Sequence, residues 1–231
     1  MTKRILCLLP LLVFAASVAH ADMISVGDSI TFAPGIGNTG GAGTIVTANN
    51  DPTTSIVSFC MQADVGGPDD FNTTMYVTGI TDFATYQSMD AGGDADGRDY
   101  LTSQTAWLYT QFRHSALDGF DGSANSYDAL QWAIWQLQGE KWIPFDDSGT
   151  DGQIVSELGN AFVALADNAV ANGYSGIGDV RVLNLNYADG SDAQDQLTMV
   201  PEASSFELLA LGALAMVVIR RRGWIAPRQF A

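Results

Sequence analysis

The chain of 231 residues carries 10 basic against 26 acidic side chains, a formal charge of −16, and is 47% apolar. Six of the basic residues (Lys3, Arg4, Arg220, Arg221, Arg222 and Arg228) lie at the two ends. Between Asp22 and Pro201 only Arg98, Arg113, Lys141 and Arg181 face 24 carboxylates. Such a surface repels phosphate backbones and anionic headgroups, which excludes nucleic acid as a partner, and the apolar content is too high for a disordered acidic chain. One globular domain between two basic-tipped ends is expected.

Met1 to Arg4 form a positive n-region, Ile5 to Ala16 an apolar h-region and Ser17 to Ala21 a small-residue cleavage site, the pattern of a secretory signal peptide over 1–21. Cleavage after Ala21 removes Cys7 and His20. Cys60 and His114 are then the sole cysteine and histidine, too few for a Cys/His zinc site.

The domain expected over 22–187 begins with short β-type runs at 43–47, 55–60 and 74–80, divided by Gly, Pro, Asn and Asp. The glycine-rich stretch 35–43 lacks the lysine and helix start of a phosphate loop and reads as a connection. In the acidic loop 90–99, Asp94, Asp96 and Asp99 with Gly97 offer three carboxylates and a turn residue, a candidate Ca²⁺ site. It lacks the closing glutamate of an EF-hand, and a solvated loop is the plainer reading. No other cofactor is expected.

Helical periodicity follows at 102–115, at 126–138 with Ser126 or Asn125 as N-cap, and at 152–172 with Gly173 as stop. In the second helix, Gln131 lies about 100° from the Leu130/Ile134 stripe, at the edge of the buried face, with Trp135 one turn further. A last β-type run at 180–186 precedes an acidic stretch, 188–199, read as a tether. The order predicts an α+β fold, with β-sandwich or barrel-like strands and a helical subdomain, flanked by the signal peptide and a C-terminal membrane anchor helix.

That anchor is predicted over 203–219, within the segment 200–231. About 1.5 Å per residue gives about 25 Å, just short of the roughly 30 Å hydrocarbon core, and Arg220, Arg221 and Arg222 hold its end on the cytoplasmic side. Val200-Pro201-Glu202, the apolar helix and the arginine cluster together resemble the PEP-CTERM sorting signal of Gram-negative bacteria. This chain departs from that pattern at Ala203, where the family has proline, and in the nine residues after the arginines. The resemblance implies recognition of Pro201, Glu202 and the arginines by exosortase, a membrane transpeptidase. It implies residence in the inner membrane before processing, and then a place at the cell surface or in the polysaccharide biofilm matrix.

A second resemblance rests on Phe59-Cys60 after a strand and Gln131-x-Ala133-Ile134-Trp135 on a helix. These are similar to the two motifs of bacterial Cys–Gln thioester domains. Leu130 stands where Gram-positive members have threonine or valine, and 106–112 resembles a stretch found in PEP-CTERM proteins carrying such a domain. The resemblance implies an internal thioester between Cys60 and Gln131, open to surface amines on an adhesion or matrix partner. That chemistry is single-turnover, so no enzyme is expected. The attack requires an activated thiol and an oxyanion donor, and His114, as the remaining histidine, is the candidate base. Two alternatives stand beside it: a non-reactive structural matrix protein with the same sorting signal, and a secreted Cys60–His114 hydrolase.

Overall fold

A computed structural model describes residues 24–38, 41–63, 73–85, 96–140 and 149–200. The predicted signal peptide, anchor helix and sorting residues Pro201, Glu202, Arg220, Arg221 and Arg222 lie outside them, as does Asp94. Among the described residues no helix is long and apolar enough to cross a membrane.

The architecture is α+β, with an antiparallel sheet and three helices. Strands β1 (Ser29–Ala33), β2 (Thr44–Ala48), β3 (Ile56–Ser58) and β4 (Met75–Thr81) come first. A small hairpin of β5 (Phe83–Ala84) and β6 (Asp99–Tyr100) follows, then α1 (Ser103–Arg113), α2 (Ala124–Gln138) and α3 (Thr150–Ala171). The chain closes on β7 (Val180–Tyr187) and β8 (Gln196–Met199). The large sheet runs β3-β2-β1-β4-β7-β8. Alternation explains the outer strands: Ile30 and Phe32 of β1, with Val46 and Ala48 of β2, point into one core with Met75, Val77 and Leu185.

The two ends of this sheet meet. Just past β3, Cys60 forms an antiparallel bridge with Gln196. Leu197 N donates to Phe59 O at 3.0 Å and Met61 N to Asp195 O at 3.0 Å. The stretch read as a tether is therefore different in its second half. Residues 193–199 are buried and end in a strand of the main sheet. Gln194, Asp195 and Gln196 disguised a run whose Leu197 and Met199 complete the core.

The helices cover this seam. Tyr109 of α1 donates its hydroxyl to the Val57 and Leu197 carbonyls at 3.3 and 3.2 Å, spanning both strands. Phe59 packs edge-on against Tyr109 and Phe112 and lies nearly parallel to Tyr127 of α2, tying both helices to the strand. Helix α2 starts earlier than its sequence cap suggested: Ser123 accepts from Ser126 N at 3.2 Å, while Ser126 is buried in the first turn. It ends at Gly139, whose φ of 80° is the left-handed turn that lets Glu140 reach back to Ala63 N at 3.2 Å.

Helix α3 approaches α2 at Gly159. A β-carbon there would sit 2.5 Å from the Trp132 ring and 3.1 Å from the Ala129 carbonyl. Gly159→Ala gains helix propensity but overpacks this contact. Its expected net effect is a loss of about 1–3 kcal/mol, read as a lower urea midpoint at unchanged slope.

Candidate functional site

Cys60 is the residue at which the two sheet edges join, and three glutamine side chains surround it. All four residues are buried: Cys60, Gln131 and Gln196 are 0% exposed and Gln194 is 3% exposed. The arrangement follows from strand geometry. Phe59 and Met61 turn their backbone groups toward β8, so those of Cys60 point the opposite way. On that side the β2 ladder ends at the Thr44–Ser58 pair.

The Gln131 carboxamide takes the place of the missing strand. Cys60 N donates to Gln131 Oε1 at 2.8 Å, and Gln131 Nε2 donates to Cys60 O at 2.9 Å. Sequence spacing put this amide at the edge of the buried face; it lies fully inside, and the two bonds are what permit that burial. Trp135, one turn on, packs with Cys60 and Ala63.

The sulfur itself meets the other two amides. Gln196 is the direct cross-strand partner of Cys60, and its Nε2 donates to Sγ at 3.2 Å. Gln194, two residues earlier, shares that face of the strand and accepts from the thiol through Oε1 at 3.0 Å. A weaker contact runs to the Gly41 carbonyl at 3.9 Å. Gln194 is held in turn by its Nε2 on the Gln62 carbonyl at 2.5 Å. Neither glutamine was singled out in the sequence, because the acidic surroundings hid the alternation. The Gln194-x-Gln196 spacing before Leu197 was the available signal.

Burial pushes the Cys60 thiol up to about 12, against which the Gln196 hydrogen bond acts in the lowering direction. The resting group is a neutral thiol shielded from water. Gln196 Oε1 is buried and has no hydrogen-bond partner among the described residues, at a cost of about 1–3 kcal/mol for such a group.

Asp195, between the two glutamines, points to the opposite face. It accepts from Leu185 N at 2.8 Å, Asn184 Nδ2 at 3.0 Å and Thr85 N at 3.0 Å, which locks the turn into β8. Burial holds its carboxyl up at about 7 despite these three donors.

The remaining candidates are not at this site. His114 is exposed at the C-cap of α1, and the polar groups that reach the thiol are those of Gly41, Gln194 and Gln196. Asp96 is exposed and paired with Arg98 at 3.6 Å and the Tyr100 hydroxyl at 3.1 Å. Asp99 is buried in β6 and accepts from Gln138 Nε2 at 3.4 Å. Among the described residues no group of three metal-ligating side chains converges. Searches against protein-family models, curated proteins and solved structures returned no match.

Proposed function

We propose that this chain is an exported cell-surface or extracellular-matrix protein whose domain stores a thioester between Cys60 and Gln131 for covalent attachment to amine-bearing partners. The observation that carries the reading is the paired hydrogen bond between the Gln131 carboxamide and the Cys60 backbone. It holds the Gln131 carboxamide against the backbone of the residue that carries the thiol, with both residues buried. It also places the Cys60 N–H at 2.8 Å on the oxygen that would carry negative charge in the tetrahedral intermediate.

The reaction is balanced without a cofactor. Sγ forms a bond to Gln131 Cδ, the Cδ–Nε2 bond breaks, and the thiol proton leaves with the nitrogen as ammonia. Reactants and products are both neutral, so burial penalises neither, and Trp135 slows hydrolysis by keeping water out. Sorting by exosortase, passage through the inner membrane and a matrix destination are part of the same proposal, resting on Pro201, Glu202 and Arg220 to Arg222. So are a barrel-like reading of the sheet and the 203–219 anchor.

One observation favours a second reading, a structural matrix protein with an inert Cys60: a thiol held near 12 is unreactive at neutral pH, and Gln131 is satisfied as it stands. The hydrolase reading gains no support, with the thiol buried and His114 exposed elsewhere. Methylamine labelling separates the first two. The full chain, prepared without amines, is expected to take up one methylamine on the Gln131 side chain with release of one Cys60 thiol, and Cys60→Ala to take up none. Failure to label the parent chain favours the structural reading.

A further inference from the structure

We propose that Gln194 and Gln196 are the positioning residues of the Cys60 sulfur, directing its proton and stabilising the charge it develops when the thioester closes or opens. This rests on the thioester reading and extends it from the Cys60 backbone, where Gln131 binds, to the sulfur itself. The amide orientations are set by a chain of donors and acceptors. Gln194 gives its NH₂ to the Gln62 carbonyl, so its oxygen is the end that faces Sγ. A thiol has one proton, and that proton goes to Gln194. Gln196, at 3.2 Å, must then present its NH₂ to the sulfur lone pairs.

That orientation leaves Gln196 Oε1 buried without a partner beside the reacting atom, a feature packing alone does not reward. The two amides thus hold the resting thiol proton on Gln194 Oε1 and a donor on the sulfur; on attack the proton passes to the departing Gln131 nitrogen, because a carboxamide oxygen is too weak a base to keep it. During attack on Gln131 Cδ, negative charge on sulfur is met by the Gln196 N–H, and the same donor receives the departing thiolate when an amine opens the thioester.

The test uses the full chain with Gln196→Met, which keeps length and removes the donor. Loss of one hydrogen bond to a charged group predicts about 10- to 100-fold slower opening by methylamine, with closure slowed to a similar degree. A purely structural role predicts the reverse for opening, because a loosened core admits water and amine. Faster opening in Gln196→Met overturns the proposal.

A second measurement does not need the thioester. In the full chain carrying Cys7→Ser and Gln131→Glu, which keeps the side-chain length and has no ammonia to lose, Cys60 stays a free thiol and its S–H stretching band is read by Raman spectroscopy. Adding Gln194→Met is expected to shift that band toward the frequency of an unbonded thiol, and Gln194→Glu to keep it hydrogen-bonded. An unchanged band in Gln194→Met overturns the proposal even if the thioester exists. A shifted band in a protein that never loses ammonia keeps the clamp and removes only its chemical role.

Discussion

Relative to the unreacted chain, in which Gln131 still carries its nitrogen, Gln131→Ala is expected to destabilise the domain by about 3–5 kcal/mol, whereas Cys60→Ala costs about 1–2 kcal/mol. The two residues would share one covalent bond, yet their structural roles differ. Truncating Gln131 strips the partners from both the Cys60 N–H and the Cys60 carbonyl, which lie where water does not reach, and leaves a cavity under Trp135. Truncating Cys60 leaves those backbone bonds in place and releases Gln194 Oε1 and Gln196 Nε2, a matched acceptor and donor, to close on each other across the vacated sulfur position. Urea unfolding of both variants measures the difference. Equal losses would mean that the Gln131 carboxamide does not act as the surrogate strand. The comparison also guards the chemistry: Cys60→Ala abolishes the thioester in a domain that still folds, so it is the cleaner chemical control.

The second large effect is a pH dependence at Asp195. Its carboxyl is held at about 7 in the folded protein, above the ordinary aspartate value of 3.8, because burial outweighs its three hydrogen bonds. A raised carboxylate pKa means that the native state binds more protons than the unfolded state between these two values. Stability therefore falls as pH rises through that window, by up to about 4 kcal/mol for a shift of this size. Asp195→Asn removes the titration and introduces a different cost. Both oxygens of Asp195 accept from donors, so either orientation of an asparagine sets an NH₂ against an N–H and loses about 1–3 kcal/mol. The stability difference between parent and variant is expected to favour the parent most near pH 4 and to shrink steadily toward about pH 8. Parallel curves over that range would contradict the account.

Much of this architecture was legible before any coordinates. Apolar residues three and four apart marked all three helices, and 43–47, 55–60, 74–80 and 180–186 fell on β2, β3, β4 and β7. The strand β1 escaped because its alternation of Ile30 and Phe32 is brief and stops at Pro34. The strand β8 escaped for a different reason. Its approach is rich in Asp and Gln, which resembles a solvated linker until a sheet edge is present to pair with. The site divides the same way. Cys60 and Gln131 were picked out by local motifs, and the fold brings them into hydrogen-bond contact. Gln194 and Gln196 reach the sulfur only because positions more than 130 residues apart become neighbouring strands. No local pattern encodes that closure, and His114, chosen by elimination, had no geometric argument behind it.

The most direct test is the intact mass of the full chain purified without reducing agent or amines. A Cys60–Gln131 thioester predicts a mass lower than the sequence by one ammonia, a deficit replaced by a gain on adding methylamine and absent in Cys60→Ala and Gln131→Ala. A mass equal to the sequence, with Cys60 freely alkylated after unfolding, would contradict it.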